Sequence, residues 1–143
     1  SYHRCLAEGK AIDHDSPDEA LHDLRKSCKK LRYLLEFFES LCPAKEFQGI
    51  LKPLKALQED LGQFNDCSVQ QESLKNFGGM LAKQPPVPAQ TLVAMGMLVS
   101  TLNQRQAEAR KRFQASFSGF ASTRTQNRFN LLFQQPILVE ELN

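Results

Sequence analysis

Tryptophan is absent from this sequence, and glycine and proline, seven of each, gather at a few points instead of recurring. No stretch alternates apolar and polar residues for long, which excludes a strand-rich fold. No apolar run reaches the roughly eighteen residues that span a bilayer, so no membrane segment is expected. The opening SYHRCLAEGK has no apolar stretch after its basic residues, and a cytoplasmic location is expected. The four cysteines, Cys5, Cys28, Cys42 and Cys67, form no C-x-x-C pair. Neither a zinc site nor a cofactor is expected from them, and reduced thiols are. H-E-x-x-H and glycine-rich phosphate loops are also missing, and no E-x-x-H motif builds a metal site, so the chain does not read as an enzyme. The acids Glu59, Asp60 and Asp66 gather near a helix end, where a cap and turn account for them.

What remains is an ordinary globular composition, 41% apolar and 24% charged over 143 residues, suited to one domain. The spacing is helical. Residues 1–15 read as a leading arm or the end of a preceding helix. In DHDSPDEAL, Ser16 can cap a helix, Pro17 suits its first position and Glu19 completes a capping box. A first long helix is predicted from 17 to 41, stopped by Pro43. A second covers 46–64 on an apolar set of Phe47, Ile50, Leu51, Leu54, Leu57, Leu61 and Phe64, with a kink or late start at Pro53. Asn65-Asp66 reads as a turn. A third helix follows over 67–82, interrupted at Gly78-Gly79. After the linker KQPPVPAQ, a fourth runs from 89 to 117 with a seam of Leu92, Met95, Val99, Leu102, Ala109, Phe113 and Phe120. The fold class expected is all-α, an antiparallel four-helix bundle over 16–121. Residues 122–143 form a tail packing on it.

The total charge is nearly balanced, 18 Lys+Arg against 16 Asp+Glu, but its distribution is not. Arg25, Lys26, Lys29, Lys30 and Arg32 lie within eight positions, with His22 just ahead and only Asp23 opposing them. On a helical wheel the apolar residues Leu21, Leu24, Cys28, Leu31, Leu34, Leu35 and Phe38 occupy about 120–260° from His22. The cations fill the other side as a stripe about three turns long. A solvated helix face normally interleaves acids with bases. Here Arg25–Lys29 and Lys26–Lys30 are like-charge i,i+4 pairs, each costing a few tenths of a kcal/mol. A bridging polyanion removes that cost and matches the length of the stripe. Lys52 and Lys55 on the second helix, and Arg105 and Arg112 on the fourth, extend it into a basic groove if they face the same side. Lys55 also has Glu59 at i+4, where a surface ion pair is the plain alternative.

His22, Arg25, Lys26, Lys29, Lys30, Arg32 and Tyr33 together resemble the signature helix of the CHAD domain, the conserved-histidine α-helical domain. LKALQEDLGQFND at 54–66 resembles that family's second marker, with its Leu-Gln pair, Leu-Gly pair and Asn-Asp turn. The likeness spans about residues 16–120. It implies an all-helical, non-catalytic domain that binds inorganic polyphosphate through His22, Arg25, Lys26, Lys29, Lys30 and Arg32, and less securely through Lys52, Lys55, Arg105 and Arg112. It further implies a CYTH-type triphosphatase domain or polyphosphate granules as company. A complete CHAD module has two four-helix halves. This chain supplies one, so the resemblance implies a companion half or a homodimer.

Two rival readings follow from the same residues. His22 on an exposed helix face, with Lys26 a turn on, suits a histidine phosphotransfer domain. Five cations exceed what one phosphoryl group needs, however. A basic helix also suits nucleic-acid phosphates, but only Tyr33 offers a stacking surface, so nucleic acid is not expected as the main partner.

Overall fold

A computed structural model describes residues 1–84 and 86–134, all of whose regular elements are helical. Among the described residues there are five α-helices: α1 (Tyr2–Lys10), α2 (Asp18–Phe37), α3 (Ala44–Leu81), α4 (Ala89–Phe120) and α5 (Thr123–Gln134), with a 3₁₀ turn at Glu39–Leu41. The fold class is all-α, as the spacing predicts. The arrangement is not four separate helices in a row.

The largest difference lies in α3. The predicted second and third helices are one helix of 38 residues. Asn65-Asp66 does not turn, because Phe64 and Cys67 on either side are buried on the same continuous core face. Gly78-Gly79 does not interrupt the helix either. Pro53 neither delays nor ends α3, for a reason visible in its contacts. Proline has no N–H to give the carbonyl four residues back, which is that of Gly49. Arg128 of α5 donates to that carbonyl instead, Nη1 to O at 3.1 Å. A Cβ at Gly49 would collide with the Arg128 guanidinium, so the glycine makes room for the substitute donor.

Helix α2 starts one residue later than predicted, with Pro17 as N-cap and no side-chain cap. Ser16 is engaged elsewhere: its hydroxyl donates to Asp13 Oδ1 at 2.8 Å and accepts from the Asp13 N–H at 2.9 Å. Arg110 of α4 grips the same loop, donating to the carbonyls of Asp13, His14 and Ser16 and pairing with Asp18 at 3.2 Å. The clamp ties α4 to the start of α2.

One core joins all five helices. Cys5 and Leu6 of α1, Leu21, Leu24, Cys28, Leu31 and Leu35 of α2, and the whole predicted apolar set of α3 are buried. Phe113 and Phe120 of α4 and Phe129 of α5 complete it. Tyr2 stacks on Phe129 at 3.7 Å between centroids and donates its hydroxyl to the Phe120 carbonyl at 3.1 Å. Burial pushes its phenol up to about 12. Cys5 and Cys28 face each other in this core, and burial together with the neighbouring sulfur pushes the Cys28 thiol up. Gly9 lets α1 lie against α4, since a Cβ there would overlap the Phe117 ring. Leu34 of the predicted core face is exposed at the rim. The predicted tail is helical over Thr123–Gln134 and packs on α3 and α4. Its continuation over 135–143 lies outside the described residues.

Helices α3 and α4 form an antiparallel hairpin that outruns the core. Between Cys67 and Leu102 no described residue is buried. In this arm Leu74, Gly78 and Leu81 of α3 and Met95 and Val99 of α4 are half-buried, and Met95 Cε lies 3.3 Å from where a Gly78 Cβ would be. Leu92, expected in the seam, is exposed, as are Val69, Phe77, Met80, Val93, Met97 and Leu98. The reason is that α1, α2 and α5 all pack below this level.

Candidate functional site

The cationic face of α2 follows from its core face. Leu21, Leu24, Cys28, Leu31 and Leu35 bury one side, which leaves Lys26, Lys29 and Lys30 fully outside and Arg25 and Arg32 half-buried at the flank. On α3, Leu57 and Leu61 are buried. Their successors Gln58 and Gly62 therefore stand about 100° off the core, on the side of Lys55 and Glu59.

These two flanks enclose a cavity of about 530 Å³ lined by Arg25, Lys29, Arg32 and Tyr33 from α2 and by Lys55, Gln58, Glu59 and Gly62 from α3. That volume lies within the usual range of small-ligand sites. Four cations meet one carboxylate in it. Arg32 is held by Glu36 at 2.7 Å. Among the described residues Arg25, Lys29 and Lys55 have no carboxylate within 4 Å. The Lys55–Glu59 pair is therefore not formed, and Glu59 accepts instead from Gln63 Nε2 at 3.2 Å. Lys29 Nζ stands 5.9 Å from the centre of the Tyr33 ring, which steadies the ammonium without neutralising it. A Cβ at Gly62 would meet nothing within 4 Å, so the floor opens directly onto backbone.

The other predicted residues lie apart. His22 is half-buried with its ring 6.0 Å from that of Phe64, outside the cavity lining. Lys26 is exposed and pairs with Asp23 at 3.0 Å. Lys30 and Lys52 are exposed and do not line the groove. Arg105 and Arg112 line a different cavity, between α3 and α4, with Asp66 and Glu108. There Arg112 donates to Asp60 at 3.1 Å and to Gln63 at 2.5 Å. The shared orientation sketched from the sequence thus holds for Lys55 but not for Lys52, Arg105 or Arg112.

The CHAD domain family matches residues 1–75, just over half of the 143-residue chain. The chain belongs to the CHAD domain family. The match begins at α1, which the sequence likeness leaves out, and stops within α3, so α4 lies beyond it. No curated protein matches the chain at a significant level. Both stretches that carry the CHAD likeness, 22–33 and 54–66, lie inside the match, and they are the two walls of the cavity.

Gln58, Gly62 and Tyr33 are functional candidates that the charge pattern alone does not find. The first two were present as part of the Leu-Gln and Leu-Gly pairs of the second marker. Their signal is positional, because each follows a buried leucine and so falls beside Lys55. Gln58 adds a further mark: its Oε1 is buried without a hydrogen-bond partner among the described residues. Among the described residues no cluster of three or more His, Cys, Asp or Glu could hold a metal ion. No described helix is long and apolar enough to cross a membrane.

Proposed function

We propose that this CHAD-family chain is a non-catalytic binder of inorganic polyphosphate, held in the groove between α2 and α3. The observation that carries the reading is the convergence of Arg25, Lys29 and Lys55, with no carboxylate of the described residues within 4 Å, on one open-floored groove. Unpaired cations facing each other across a cavity repel, and an extended anion turns that repulsion into attraction. Arg25 and Arg32 give forked contacts to phosphoryl oxygens, while Lys29 and Lys55 act as mobile point charges. Lys26, Lys30 and Lys52 lie outside the lining and act at longer range, guiding the polymer and following it beyond the cavity. Residence in the cytoplasm, recruitment to polyphosphate granules and work beside a CYTH-type triphosphatase are roles that such a module would serve.

The test is a titration with long-chain polyphosphate at several salt concentrations, beside single-stranded DNA of matched charge. Each phosphate neutralised contributes about −0.7 to the slope of log K against log salt. Changing Arg25, Lys29 and Lys55 together to Ala is expected to make that slope shallower by about 2 and to abolish tight binding. Changing Lys26, Lys30 and Lys52 is expected to weaken binding less. Equal losses from the two triple variants would refute the groove as the site. Equal affinity for DNA and polyphosphate would reduce the reading to a generic basic surface.

A further inference from the structure

Two residues that line the groove between α2 and α3 give a bare phosphate chain nothing: Tyr33 and Glu59. The Tyr33 ring is 58% exposed. The Glu59 carboxylate repels phosphate, yet none of the surrounding cations pairs with it. Among the described residues it accepts only from the Gln63 amide, Nε2 to Oε1 at 3.2 Å. Gln63 is held in turn by Arg112, and Arg112 by Asp60 at 3.1 Å. The carboxylate is thus positioned, and its second oxygen is left to accept. The two residues also fall in a definite order. Helix α2 runs toward the connection at 38–43 and α3 away from it, with His22 across from Phe64 at 6.0 Å between ring centroids. Tyr33 and Lys55 therefore mark the end of the groove near the connection, Arg25 and Gly62 mark the far end, and Glu59 lies between. From Arg25 to Tyr33 the helix rises about 12 Å.

We infer that the groove also takes a purine nucleoside triphosphate, with its base stacked on Tyr33, its ribose hydroxyls donating to Glu59 and its phosphates on Arg25 and Lys29. The inference rests on the polyphosphate reading for the phosphate contacts and adds the nucleoside. A carboxylate inside a cationic groove suits a ligand that carries hydrogen-bond donors, and a phosphate chain at neutral pH has almost none. Ribose hydroxyls supply them, and an acidic side chain accepts from ribose in the same way in dinucleotide-binding folds. One aromatic ring is too few for a nucleic-acid strand, which stacks successive bases, but is what a single base needs. Lys55, at the Tyr33 end, donates to the N7 edge of the purine. Lys29, whose ammonium stands 5.9 Å from the Tyr33 ring, turns on its flexible stem to a phosphate and leaves the ring face to the base. At the far end the open floor at Gly62 lets the phosphates approach α3. The cavity of about 530 Å³ has the size that encloses one compact ligand.

Calorimetric titration of the chain with ATP, GTP and inorganic tripolyphosphate, without divalent cations, tests the inference. Tripolyphosphate has the same three phosphoryl groups and one more ionisable oxygen, so on charge alone it binds more tightly than either nucleotide. The expected result is the reverse, a nucleotide ahead of tripolyphosphate by about tenfold. Tyr33→Ala is expected to bring that ratio close to one, and Tyr33→Phe, which keeps the ring, to preserve it. Glu59→Ala is expected to weaken nucleotide binding and to strengthen tripolyphosphate binding. Both side chains are exposed, so circular dichroism should show the same helical signal in all these variants. Tripolyphosphate binding as tightly as both nucleotides overturns the inference and leaves the polyphosphate reading standing. So does a nucleotide preference that survives Tyr33→Ala, or a Glu59→Ala chain that gains affinity for nucleotide and tripolyphosphate alike. Nucleotide binding without binding of long-chain polyphosphate supports the inference and overturns the polyphosphate reading alone. If neither nucleotides nor phosphate chains bind, both fall.

Discussion

The two ends of the α3–α4 hairpin are continuous in backbone and opposite in surroundings. At the lower end Phe47, Leu57, Phe64, Phe113 and Phe120 are each at most 2% exposed, wedged against α1, α2 and α5. At the upper end side chains no less apolar face outward. Helix propensity and an internal seam are enough to continue the hairpin, whereas burial needs a third and fourth layer. The chemistry divides in the same way. Charge and the cavity belong to the lower end, where α2 flanks α3, and the apolar surface belongs to the upper end.

The comparison breaks most visibly if the two ends contribute alike to stability. Phe113→Ala empties a fully packed site and is expected to cost about 3–5 kcal/mol in urea unfolding. Leu92→Ala, at a position 54% exposed, is expected to cost less than about 0.5 kcal/mol. Amide exchange should rank the same way, with 68–101 opening before 47–67 and 102–120.

A second test concerns how the lower end is closed. Arg128→Ala withdraws the donor that α5 lends to the Gly49 carbonyl above Pro53. Leaving that half-buried acceptor without a partner is expected to cost about 1–3 kcal/mol. Adding Pro53→Ala restores an N–H within α3 and should recover part of the loss. Additive losses in the double variant would refute the substitution of one donor by the other.

How much of this was legible in the sequence depends on distance along the chain. The core faces of α2 and the first half of α3 repeat at i,i+3 and i,i+4, and every apolar residue predicted for 46–64 is buried. The convergence of Lys55 with Arg25 and Lys29 was visible only as a possibility, because no single-helix wheel fixes how two helices turn toward each other. Asn65-Asp66 misled for a local reason. Its turn propensity is real but small, and the buried side chains of Phe64 and Cys67 outweigh it. Leu92 misled for a global one: its spacing is that of a core residue, but more than half of it stays exposed because α1, α2 and α5 pack at the other end. The donor from Arg128 to Gly49 joins residues far apart in sequence, and neither residue type announces it.

The groove offers a smaller effect of mixed sign. Gly62 lies in the middle of α3 where added volume meets nothing, so Gly62→Ala is expected to raise stability by about 0.5–1 kcal/mol. The same methyl stands on the floor of the cavity and should weaken polyphosphate binding. A variant that is more stable and binds less would separate the two roles of that position. Gain of stability with unchanged affinity would show that the polymer does not reach the floor.

The last expected effect is confined to alkaline pH. The folded state favours the neutral phenol of Tyr2, whose pKa is pushed by burial from 10.0 to about 12. Its contribution to stability is therefore complete below pH 10 and declines as pH rises toward about 12, because the unfolded chain releases the proton first. Ionisation also removes the hydrogen that the hydroxyl donates to the Phe120 carbonyl. Thermal melting should fall more steeply across this window for the natural chain than for Tyr2→Phe. Since Tyr2 joins α1, α4 and α5 at the lower end, the accompanying rise in hydrogen exchange should appear there and leave the ranking of the arm unchanged. An equal slope in the two proteins would mean that the phenol remains solvated in the folded chain.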